Sequence, residues 1–139
     1  MNADLRWQQR FHNFERGFIL LRSALEERGI EEFSDLELEG LIQRFEYTFE
    51  LSWKTLKDYL EHSGVVLAQI TPASVIKAAF AAKVIEDGQA WIDMLKHRNL
   101  MSHTYDFSRF KEAVAAIRSR YLSALGQVYF FLKKELVEP

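Results

Sequence analysis

Six large apolar side chains, Trp7, Phe11, Phe14, Phe18, Leu21 and Leu25, recur at spacings of 4, 3, 4, 3 and 4. An α-helix turns once every 3.6 residues, so this rhythm lays one wide apolar stripe along a rod over about residues 4–28. A strand would need alternation by twos. The chain repeats the device: Leu38, Ile42, Phe45, Phe49, Trp53, Leu56 and Leu60 predict a second long helix over about 36–62. Phe110, Val114, Ile117, Tyr121, Leu125, Val128 and Leu132 predict a last long one, from about Ser108 to Leu136.

The punctuation agrees. Gly29 is placed to stop the first helix and Gly64 the second. The link from Glu31 to Asp35 is polar. Thr71-Pro72 has the form of an N-cap followed by proline at the first helical position. It opens a short helix with Val75, Ile76, Ala79 and Phe80 as its apolar face. Asp87-Gly88 marks a turn, and Trp91, Ile92, Met94 and Leu95 begin a fourth helix. Three long helices and two short ones, closely connected, predict an all-α, antiparallel four- or five-helix bundle, up-and-down, occupying residues 1–139 as one domain. The aromatic stripes of the first and last helices are more than a lone small bundle has to hide. A homodimer is therefore expected.

Composition narrows the chemistry. There is no cysteine, which excludes disulfides, thiol nucleophiles and zinc ribbons and fits a cytoplasmic setting. The N-terminus lacks the apolar core of a signal peptide, and no run of about 18 uncharged apolar residues could cross a membrane. A formal net charge of −2 gives no bulk attraction to nucleic acid, so any contact with RNA should be local and its target narrow. The chain has no P-loop, dinucleotide-binding glycine pattern, nucleophile elbow or zinc-protease helix. Asp93 and His97 share a helix face but lack the further ligands a metal needs. No metal and no cofactor are expected.

What remains is the segment Arg98-Asn99-Leu100-Met101-Ser102-His103-Thr104-Tyr105. Histidine exchanges protons near neutral pH, and arginine keeps its charge and matches phosphate oxygens with a fork of donors. Together they are the least that attack on a phosphodiester without metal requires. The His would move a proton of an RNA 2′-hydroxyl or of the leaving oxygen, and the Arg would hold charge developing on phosphorus. Only RNA supplies that internal nucleophile, so RNA comes before DNA. Trp91, Leu95 and Arg98 lie on one helical face, which turns Arg98 toward the core or an interface. Five residues along an unbroken helix rotate by about 140°. Arg98 and His103 therefore either flank a helix end or meet across two subunits. Without other knowledge an Arg and a His near a helix end often only complement the macrodipole. Glu46, at the edge of the second helix's buried face, either borders the core or orients a basic group elsewhere in the fold. Glu50 and Lys54 form a favourable i,i+4 pair worth about 0.2–0.5 kcal/mol.

Arg98-x4-His103-x-Tyr105 resembles the R-x4-H-x-Y signature of HepT-type HEPN proteins, also described as nucleotidyltransferase substrate-binding proteins. The stretch from Arg44 to Lys57 resembles the group's long second helix, and Ile85 to Trp91 leading into Arg98-Asn99-Leu100 also fits. The resemblance implies a bundle that dimerises with the motifs meeting in a cleft between subunits. It also implies a separate, small MNT-type nucleotidyltransferase as partner. In the toxin–antitoxin version the HEPN chain is a metal-independent ribonuclease, silenced when the partner transfers AMP from ATP to the motif tyrosine. By position, Arg98 would stabilise the phosphorane, His103 would be acid or base, Tyr105 would accept AMP and Asn99 would help position the cleft. Two other readings stand beside it: an accessory subunit that binds substrate or nucleotide without cleaving, and a purely structural dimerisation module.

Overall fold

A computed structural model describes the backbone of residues 3–101 and 107–137 and the side chains of 5–101 and 108–136. All regular structure among the described residues is helical. The elements are α1 (Ala3–Glu27), a 3₁₀ turn (Ile30–Glu32), α2 (Asp35–His62), α3 (Pro72–Ala81), α4 (Gly88–Met101), α5 (Phe107–Ala116), a π turn (Ile117–Tyr121) and α6 (Leu122–Val137).

The helix ends follow their capping chemistry. The Ser34 hydroxyl accepts from the Glu37 N–H while the Glu37 carboxylate accepts from the Ser34 N–H, a reciprocal box that starts α2. Thr71 caps α3 through the Ser74 N–H, with Pro72 next in line. The Asp87 carboxylate accepts from the Ala90 N–H at the start of α4. Gly64, at φ 89°, takes the left-handed turn that closes α2, a conformation glycine adopts without steric cost. Gly29 does more than stop α1: it caps the 3₁₀ turn by donating its N–H to Glu32.

α1 and α2 run antiparallel. Trp7 meets Tyr59 at one end, Arg10 meets Asp58 below it, and Arg28 reaches Glu37 at the other end. All six members of the α1 stripe are 0–2% exposed inside this one chain. The α1 stripe is thus absorbed by the core of a single chain and gives no separate reason for a dimer, although Phe130 of α6, at 59%, stays exposed. α6 lies antiparallel to α1, where Tyr129 stacks at 8° on Phe11 and donates its hydroxyl proton to Glu15. α4 packs on α2, with Trp91 fully buried against Phe49.

Two local expectations fail. Phe80, assigned to the buried face of α3, is 52% exposed and lies against Gly88 instead of entering the core. The last long helix is not uniform, because residues 117–121 widen into a π turn between α5 and α6. The stripe 117, 121, 125 steps by fours through this region. The wider turn keeps Ile117, Tyr121 and Leu125 all buried.

Two expectations about stability follow. A Cβ on Gly17 would sit 2.9 Å from the Thr48 hydroxyl and 3.2 Å from the Tyr47 ring, whereas one on Gly40 would meet nothing within 4 Å. Gly17→Ala should lower stability, the crowding cost of about 1–3 kcal/mol outweighing its helix gain. Gly40→Ala should raise it by about 0.5–1 kcal/mol; paired denaturant melts check both signs. The Arg28 guanidinium, followed by the Ser34 backbone, holds the Glu37 carboxyl down at about 2 from an ordinary 4.5. A depressed acid stabilises the fold fully above its ordinary value and loses that contribution as pH falls toward 2. The melting-temperature gap between wild type and Glu37→Gln should be constant above pH 5 and close over that window.

Candidate functional site

α2 buries one face and presents the adjoining one to solvent as a ridge of Gln43, Glu46, Tyr47 and Glu50, four positions that fall on one side of the helix. Arg98 comes from the last turn of α4 to meet this ridge. Together these five residues line an open cleft of about 400 Å³. Arg98 has the direction expected from its shared face with Trp91. Its side chain is 25% exposed, its guanidinium carbon stands 5.6 Å from the centre of the Phe49 ring, and one terminal nitrogen is 3.5 Å from Glu50. A planar cation over an aromatic face, with a carboxylate at its edge, stays charged while partly out of water.

Glu46 faces the same cation. Burial pushes its carboxyl above the ordinary range, and the Arg98 charge pulls partly against that. Glu46 thus borders the core, as one sequence reading has it, and lies within the field of a basic group, as the other requires. For Glu50 the sequence offers only Lys54 as a partner. It does hold Lys54 at 3.4 Å, but its second oxygen turns to Arg98. Sequence reasoning misses Glu50, Tyr47 and Gln43 as cleft residues. The available signal is the polar ridge 43, 46, 47, 50 running beside the apolar stripe 42, 45, 49.

Asn99 is exposed on α4 next to Arg98. His103 and Tyr105 lie outside the described residues. Asp93 and His97 are engaged elsewhere. Asp93 accepts from Arg120 at 2.5 Å and from Gln89 at 2.9 Å, and those bonds hold its carboxyl below the ordinary range. His97 Nδ1 lies 2.6 Å from the Tyr121 hydroxyl. Both partners stand on the π turn, which therefore grips α4 at two points one helical turn apart. The second point is the residue directly before Arg98. Among the described residues no cluster of three or more His, Cys, Asp or Glu could hold a metal, and no helix is long and apolar enough to cross a membrane.

An all-helical, antiparallel bundle with one arginine and two carboxylates at the mouth of its core defines the class of this protein. The chain belongs to the family described as nucleotidyltransferase substrate binding protein like, whose profile matches residues 9–134. Among curated proteins, "Probable ribonuclease HepT" of Haemophilus influenzae is 30% identical over 86 residues, 60% of this chain and 59% of that relative's length. A crystal structure of a Thermus thermophilus protein superposes with a TM-score of 0.73 at 31% identity, covering 86% of this chain and 98% of that one. A Haemophilus influenzae structure, described as revealing the fold of a substrate binding domain of a nucleotidyltransferase, superposes at 0.66. It is 21% identical and covers 95% of this chain and 99% of that one, so it speaks for the fold alone.

The raised Glu46 carboxyl carries a test with a definite sign. A raised acid favours the fold below its ordinary pKa and loses that contribution as pH climbs through the folded value. Glu46→Gln should therefore gain melting temperature relative to wild type as pH rises from 4 to 7. A gap that stays flat, or shrinks, would contradict the burial assigned to this side chain.

Proposed function

We propose that this chain is a HepT-type, metal-independent endoribonuclease, paired with a small MNT-type nucleotidyltransferase that silences it by adding AMP to Tyr105. The observation that carries the reading is Arg98, which heads the R-x4-H-x-Y segment and opens into a cleft while still largely covered by protein. A guanidinium in that position is accessible to a phosphate, and its surroundings are drier than bulk water, which strengthens its hold on developing charge. The resemblance of the motif and the relative named a probable ribonuclease support the same reading.

In the proposed reaction the RNA 2′-oxygen attacks the adjacent phosphorus as its proton passes to His103. The P–O5′ bond breaks, the 5′-oxygen takes a proton from the His103 imidazolium so formed, and a 2′,3′-cyclic phosphate and a 5′-hydroxyl end result. Arg98 neutralises the equatorial oxygens of the phosphorane, and Asn99 helps position the cleft. Glu46, opposite the guanidinium, keeps Arg98 aimed into the cleft. The single domain spanning 1–139 acts as a homodimer, in which His103 of one subunit can combine with Arg98 of the other. Silencing is a transfer in which the Tyr105 phenolic oxygen attacks the α-phosphorus of ATP, pyrophosphate leaves and the phenol proton is released. The added group is bulky and anionic. Two residues from His103, it would obstruct the cleft and offer Arg98 a phosphate that is not substrate.

A second reading is favoured by one observation. The guanidinium of Arg98 already faces two carboxylates, Glu46 and Glu50, a setting that also suits a moderate ligand site in a substrate- or nucleotide-binding accessory subunit. Induction of the chain alone separates the two. Wild type should arrest growth, Arg98→Ala and His103→Ala should each lower RNA cleavage by about 10²–10⁴-fold and relieve the arrest, and an active partner should restore growth with a 5′-AMP mass on Tyr105. Normal growth with well-folded protein would give the site to the accessory subunit instead.

A further inference from the structure

The cleft holds an aromatic ring that the proposed chemistry does not use. Tyr47 is 42% exposed, unusual company for a ring on a helix whose other aromatics are mostly buried. Its position is fixed from behind. A Cβ on Gly17 would lie 3.2 Å from Tyr47 Cε1 and 3.5 Å from Cδ1, so that edge of the ring packs close to the glycine of α1. Tyr47 also lines the cleft that Arg98 lines. An exposed ring held in place at one edge, on the wall of a cleft that also holds a guanidinium, is a surface on which a nucleobase can stack.

We infer that Tyr47 is the stacking platform for a nucleobase whose neighbouring phosphate is held by Arg98. The inference rests on the reading of the cleft as a phosphate site. The cleft volume of about 400 Å³ falls in the range of small-molecule sites, so it accommodates one nucleotide and not a folded duplex. Duplex RNA keeps its bases stacked on each other, so the strand presented must be unpaired at this point. The polar edge is supplied by the same ridge. Gln43, one turn before Tyr47, offers an amide, and Glu46 and Glu50 offer acceptors. Two carboxylates and one amide favour bases that present amino groups, guanine, adenine or cytosine, over uracil. This also accounts for local recognition by a chain of net charge −2. Stacking and a single ion pair do not need a basic surface.

The test uses the full chain and a 2′-O-methyl RNA oligonucleotide, which cannot be cut by internal attack, with fluorescent 2-aminopurine placed at each position in turn. Wild type should quench the probe at one position, Tyr47→Phe should keep the quench, and Tyr47→Leu should lose it and bind about 5- to 100-fold more weakly. On cleavable RNA, Tyr47→Leu should raise KM more than it lowers kcat. Tyr47→Gln serves in its place if the leucine variant does not melt like wild type. Competition by free nucleoside monophosphates tells a base on a strand from one on a mononucleotide, and the platform holds for both. Absence of quenching at every position, or unchanged quenching and affinity in a folded Tyr47→Leu, would overturn it. The ribonuclease reading fails separately, when Arg98→Ala cuts RNA as wild type does, and the quench measurement then still judges Tyr47 by itself.

Discussion

The antiparallel contact of α1 on α2 positions everything else in the fold. At Gly17 the two helices come close enough that a single methyl would strike the Thr48 hydroxyl. That approach buries the stripe of α1 against α6 and that of α2 against α5 and the π turn, and at the same time leaves the Gln43–Glu50 ridge at the edge of the core. Arg98 then meets the ridge beside an aromatic ring, Phe49, that is itself fully buried. Core and cleft are thus two faces of α2, and neither can be repacked without disturbing the other.

The cleft balances charges that would be costly to hold singly. An arginine beside an apolar ring loses hydration, and two carboxylates close by offset part of that loss. One of them, Glu46, is itself disfavoured as an anion by burial. Glu50 is shared with Lys54. In the proposed reaction an incoming phosphate would therefore compete with carboxylates for Arg98 and would not enter a vacant cationic site. Such competition would make affinity modest and put more weight on neutral contacts.

Much of this architecture is legible in the sequence, for reasons that differ by element. α1 and α2 are readable because burial imposes a 3.6-residue period, and because Ser34, Thr71 and Gly64 carry local chemistry that marks helix ends without help from the rest of the fold. The inward turn of Arg98 follows from the face it shares with Trp91. Glu50 and Tyr47 do not stand out as cleft residues, since a polar ridge beside an apolar stripe looks like any solvated face until a second helix arrives. Phe80 is misplaced because a ten-residue helix has too few turns to define one face. The dimer argument counts aromatics without knowing that Tyr129 and Tyr121 take up Phe11, Phe14, Phe18 and Phe45 within one chain.

The π turn at Ile117–Tyr121 is invisible to periodicity, because it fits one more residue into a turn without interrupting the stripe. That extra residue acts as a phase setting for the rest of the chain. Every side chain of α6 is rotated by it, so the stacking of Tyr129 on Phe11 and the grip of Arg120 and Tyr121 on α4 are tuned together. A relative one residue shorter here would still form a continuous helix, yet its C-terminal half would present a different face to α1. Insertions and deletions at this point, more than substitutions, are the changes by which such a bundle could alter where α4 holds its arginine.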